Sequence, residues 1–141
     1  MNELEFLNIV TSIISDHVEA LDIDSNSVKY PNTEISEIYA SNFVEVLVSN
    51  YTAIKTNLKG SKRVYGCVTF RVISSRGVGS AEAMSKAIDL SKCLSGKIIN
   101  GIVFDEYELR VLNHTLSQTQ TTTDIPYFQV NANIDFSYPR G

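Results

Sequence analysis

The residues of this chain that could do chemistry are few and scattered. Arg76, Gly77, Val78, Gly79 and Ser80 fall between an expected strand and an expected helix, where backbone amides can cradle a phosphate. No lysine follows the second glycine, so there is no Walker motif, and the third glycine of the dinucleotide fingerprint is missing. The run reads as a plain turn, and a small nucleotide-binding protein is left as a lesser alternative. His17 and His114 lie on different elements with no cysteine or carboxylate at metal-ligand spacing. Asp105, Glu106 and Glu108 crowd together as the solvated charges of a turn and a strand start, and no serine stands in a GxSxG elbow. Cys67 and Cys93 have neither a CxxC pattern nor a histidine neighbour, so they read as two reduced thiols of a cytosolic protein. The expectation is therefore no catalytic residue, no cofactor and no metal.

The totals point the same way. A chain of 141 residues is the size of one domain, and 43% apolar with 20% charged residues is ordinary for a globular protein. A single domain over residues 1–141 is expected. The net charge of −4 argues against sequence-specific nucleic acid or an anionic membrane as the main partner. The opening MNELEFLNIV lacks the basic and small-residue marks of a secretory signal, and no apolar run is long enough for a membrane helix.

The elements are organised around Arg63 to Gly96. Val64, Gly66, Val68, Phe70 and Val72 alternate with Arg63, Tyr65, Cys67, Thr69 and Arg71, the period of a strand with one buried face. Ser80 and Glu82 suit a helix start, Met84, Ala87, Ile88, Leu90, Ser91 and Leu94 recur at helical spacing, and Gly96 suits a left-handed cap. Burial of Val68, Phe70 and Val72 against Ile88 and Leu94 makes this unit the expected core.

Before it, Phe6, Leu7, Val10, Ile13, Ile14, Val18 and Leu21 form the stripe of an amphipathic helix, with His17 beside it at the core's edge. Val28 to Pro31 reads as a short extended piece, residues 32–41 as an acidic loop, and Phe43 to Val48 as a strand. Ser49 to Lys62 reads as the long polar arm of an antiparallel hairpin. After Gly96, residues 98–104 show no clean period and read as a loop leading to a strand from Tyr107 to Leu112; if that strand lies parallel to the central one, a right-handed crossover is expected. His114 to Asp124 reads as a threonine-rich link. Phe128, Val130, Ala132, Ile134, Phe136 and Tyr138 then alternate with polar residues in a closing strand stopped by Pro139. The fold class is α+β: a mainly antiparallel sheet of about four to five strands with two helices on one face. The other face shows Arg63, Tyr65, Thr69, Arg71, Gln129, Asn131 and Asn133, and is either solvated or an interface.

This order of elements, with VKYPNTEI at Val28 to Ile35, the strand FVEVLV, the Arg63–Gly96 unit and the closing YFQVNANIDFSY, resembles the tail terminator-like proteins of tailed bacteriophages over nearly all of the chain. The resemblance implies a structural protein, not an enzyme, that forms a hexameric ring on the end of a finished tail tube, stops its polymerisation and presents the surface to which the head joins. Its partners would be further copies of itself, the tail tube protein and head–tail connector proteins. Its place would be the head-proximal end of the virion tail, after assembly in the host bacterial cytoplasm. A head–tail connector or another minor tail protein is the alternative within the same class. The resemblance transfers no functional residue by motif. The candidate contacts, Lys59, Lys62, Arg63, Arg71 and Arg76, are positional: they lie on the arm, the central strand and the loop after it.

Overall fold

The computed structural model describes residues 1–24, 27–31, 43–55, 60, 62–75, 80–116 and 125–140. In chain order these form α1 (Glu3–Ala20), β1 (Val28–Lys29), β2 (Phe43–Lys55), β3 (Lys62–Ser75), α2 (Ser80–Ser91), β4 (Ile98–Ile99), β5 (Ile102–Phe104), β6 (Glu108–Leu116) and β7 (Ile125–Arg140). The strands make one seven-stranded sheet in the order β1-β2-β3-β7-β5-β4, with β6 also on β7. Among the described residues only the β1–β2 pair is parallel. The class is α+β, but the sheet is larger than the expected four to five strands.

Helix α1 starts where Asn2 accepts a 2.8 Å hydrogen bond from the Glu5 amide, with Glu3 and Glu5 near the positive end of the helix dipole. Its stripe buries Phe6, Val10, Ile14 and Val18, and it ends where Asp22 turns to φ 57°. Helix α2 buries Ala83, Ala87 and Leu90, and Leu94 follows in the turn beyond it. Ile88, expected opposite the central strand, is only half-buried, because the face that meets the sheet is centred on Ala87 and Leu90. Both helices cover the same face of the sheet, where Val44, Val46, Val68, Phe70, Val72, Val130, Ala132 and Ile134 complete the core. Each of the large side chains removed from water contributes ~1.5–3 kcal/mol, an upper bound since denatured chains are already partly collapsed.

The two central strands are β3 and β7, registered over fourteen pairs from Lys62↔Arg140 to Ser75↔Tyr127. Gly66 sits opposite Phe136, and the space a side chain would need is filled by that ring: a Cβ built on Gly66 would lie 2.5 Å from Phe136 Cζ and 2.8 Å from the Ser49 carbonyl oxygen. Phe6 of α1 stacks on Phe136 and Tyr138 at ring-centroid separations of 4.3 and 4.8 Å. At the same level β2 carries a bulge. Ser49 pairs with Cys67 and Thr52 with Tyr65, so two residues of β2 stand against Gly66 alone.

Four expectations are corrected. The residues after Val48 are not all a link: β2 runs on to Lys55, and the bulge is what breaks its alternation. Residues 98–104 are not a loop, because Asn100 (φ 51°) and Gly101 (φ 81°) turn β4 back on β5 as a two-residue hairpin. The strand expected at Tyr107 to Leu112 extends to Leu116, so the threonine-rich link begins later than His114, and it is separated from β3 by β7. Finally, β7 continues through Pro139, which pairs with Arg63. A proline is tolerated there because β5 ends opposite Ser137, leaving that side of β7 without a ladder among the described residues. The expected loops at residues 32–41 and 76–79, and most of the threonine-rich link, lie outside the described residues.

Two substitutions probe this packing. Gly66→Ala is expected to lower unfolding free energy by ~1–3 kcal/mol in urea titrations, because the new methyl meets backbone and a ring already held by Phe6. Tyr138 is fully buried with a hydroxyl lacking any hydrogen-bond partner. Tyr138→Phe is expected to leave stability unchanged or raise it by up to ~1 kcal/mol in the same titration, since it deletes only an unsatisfied polar atom.

Candidate functional site

The sheet face opposite the helices is where polar chemistry gathers. Alternation along β3 and β7 turns Arg63, Tyr65, Cys67, Thr69 and Arg71 to this face together with Asn131, Asn133, Asp135 and Ser137. Cross-strand neighbours bond one another rather than a common centre. Thr69 Oγ1 donates to Asn133 Oδ1 at 2.8 Å, and Arg63 Nε donates to Ser137 Oγ at 3.0 Å. Gln129 Nε2 donates to Asn131 Oδ1 at 3.0 Å. Glu45 on β2 is gripped from both sides, by Arg71 Nη1 at 2.9 Å and Lys29 Nζ at 3.6 Å. These pairs sit at partly exposed positions, so each stabilises modestly; together they fix the registers of β1, β2, β3 and β7.

One concavity of about 580 Å³ opens on this face. It is lined by Ile54, Tyr65, Gly66, Cys67, Asp105, Asp135, Phe136 and Ser137. Gly66 and Phe136 line it where β3 and β7 pair, and its rim is apolar on the β2–β3 arm, where Ile54 and Tyr65 are exposed. The opposite rim is acidic: the Asp105 amide donates to the Asp135 carbonyl at 2.8 Å, which brings both residues to one edge. Burial pushes the Cys67 thiol up, Thr69 opposes this through a hydrogen bond, and Asp135 pushes it further up. A thiol held in its neutral form is a poor nucleophile. Among the described residues no group of three or more histidines, cysteines and carboxylates is placed to hold a metal.

Of the expected contact residues, Lys62 is exposed at the start of β3, Arg63 is half-buried against Ser137, and the charge of Arg71 is compensated by Glu45. Lys59 and Arg76 lie outside the described residues, as do Gly77, Val78 and Gly79 of the turn. The structure thus brings Arg63 and Arg71 onto one face but not into one cluster. Ile54 carries no signal in the sequence because the bulge between Ser49 and Thr52 interrupts the alternation of its strand. The Asp105–Asp135 rim depends on how β5 pairs with β7, and the Asn100–Gly101 turn is the signal that could have located it. The expected core-edge role of His17 fits its geometry: Nε2 is 2.6 Å from the Asp89 carbonyl, which can only accept, so Nε2 carries the proton.

No family model matches this chain. No curated protein matches it either. Among solved structures 17 chains match. One of them, whose own name states no activity or partner, aligns over 93% of this chain and 94% of that one with a TM-score of 0.55 at 12% identity. A likeness at that identity is one of fold.

The second cysteine provides a measurable handle on the core beneath this face. Cys93 Sγ donates to the Leu90 carbonyl at 3.1 Å, and burial pushes its pKa from 9.0 up to about 12, with Lys97 opposing. The folded chain therefore keeps a proton that the unfolded chain loses above 9.0, so this contribution is intact below that pH and is lost as pH rises toward about 12. Urea unfolding at pH 8 and pH 10 is expected to show wild type losing about 1 kcal/mol more than Cys93→Ala over that interval.

Proposed function

We propose that this chain is a structural virion protein that caps the end of a bacteriophage tail tube as a ring, stops its polymerisation and offers the surface for head joining. The observation that carries the reading is the sheet itself. One face is sealed by both helices, while the other is a polar, self-bonded ladder that the long β2–β3 hairpin continues to one side of β7. Such a surface suits repeated contact with flat, polar neighbours more than enclosure of a small molecule. The element order that resembles tail terminator-like proteins supports the same reading. In it the partners are further copies of the chain, the tail tube protein and the head–tail connector, and the protein sits at the head-proximal end of the tail after assembly in the host cytoplasm. The role is mechanical rather than enzymatic.

Electron microscopy of particles assembled with and without this gene product, with tail lengths measured, tests the proposal. Overlong, headless tails in its absence are expected. Tails of normal length that fail to join heads would assign it instead to the connector, and normal particles would overturn the reading.

A further inference from the structure

We propose that copies of this chain join head to tail, the basic β2–β3 hairpin of one protomer meeting the acidic β5–β6 edge of the next. The inference rests on the ring reading and specifies its contact. Its first support is charge. Among the described residues on the β1–β3 side of the sheet Lys29, Lys62, Arg63 and Arg71 outnumber the single carboxylate Glu45, whereas Asp105, Glu106 and Glu108 stand exposed at the other edge with only Arg110 among them on that strand segment. The surplus charges of one edge thus match those of the opposite edge on a second copy, which favours a heterologous contact and disfavours either edge meeting itself.

The second support is strand geometry. Among the described residues β1 covers β2 only at Val44 and Glu45, and β6 has a ladder only to β7. Two strand edges are therefore available at opposite sides of one sheet. Three successive antiparallel pairings, β2–β3, β3–β7 and β7–β6, leave β2 and β6 running in opposite directions. Setting β6 of one copy beside β2 of the next, with the helix-covered faces aligned, gives an antiparallel ladder that can extend the sheet from copy to copy. A two-fold arrangement would instead bring like charges together.

The test uses the full chain at low salt, with mass measured by light scattering or sedimentation. Wild type is expected to associate beyond a dimer and to dissociate as salt is raised. The double variants Glu106→Lys/Glu108→Lys and Lys62→Glu/Arg63→Glu, checked for fold by circular dichroism, are each expected to weaken self-association by about tenfold or more. Mixed one to one, they set opposite charges against each other at both kinds of junction, and association beyond a dimer should return. If the Arg63 change disturbs folding through Ser137, Lys62→Glu alone replaces that variant. Association that neither reversal affects would overturn the edge assignment while leaving the ring reading in place. Either variant forming a stable dimer by itself would overturn the head-to-tail arrangement. Wild type that stays monomeric at all concentrations would overturn a direct contact between copies, and the tail-length assay would still decide the ring reading separately.

Discussion

The fit of Phe136 over Gly66 is the constraint on which the rest of the molecule depends. A glycine in the middle of a long strand weakens it, and here the loss is offset because the missing side chain is replaced by a ring from the neighbouring strand. That ring then receives Phe6, so the first helix is tied to the last strand through the same point. The bulge in β2 at this level bends the hairpin and lets the Ser49 carbonyl approach where a Cβ would otherwise stand. Helix docking and strand pairing thus meet at a single absent side chain.

The two faces divide the protein's physical tasks. The helix-covered face supplies burial, through aliphatic residues of β2, β3 and β7 against Ala87, Leu90 and Leu94. The other face supplies register, through Thr69–Asn133, Arg63–Ser137 and the Lys29–Glu45–Arg71 group, whose bonds would not form after a slip of one residue. Their polar groups are largely spent on one another, so what this face offers a partner is mostly outline and the uncompensated charge at its two edges.

Much of this was legible because alternation is strict where one face is buried. The periods of β3 and β7, the stripe of α1 and the turn after α2 were readable from residue types, and so was the assignment of Arg63, Thr69, Arg71, Asn131 and Asn133 to one face. What was not legible depended on events that interrupt a period. The bulge hid the second half of β2. A slip of one residue between β5, where Phe104 pairs with Phe136, and β6, where Glu108 pairs with Asn133, reverses the alternation and made residues 98–112 look irregular. The short β4–β5 hairpin was missed although Asn100–Gly101 is a strong turn signal, because its strands are too brief to show a pattern of their own. The concavity, set by pairing between distant strands, left no local trace.

The central ladder also sets the order in which this protein can acquire its structure. Strands β2 and β3 are neighbours in sequence and can meet early, but β3 finds its other neighbour only in β7, the last strand in chain order. Closing so large a loop is slow compared with hairpin formation. Until β7 inserts, Val68, Phe70 and Phe6 lack their covering side chains and β3 is an edge capable of pairing with another nascent chain. The same arrangement that makes the finished sheet continuous therefore leaves a strand edge open to aggregation before the sheet is complete, and rapid supply of the final strand shortens that exposure.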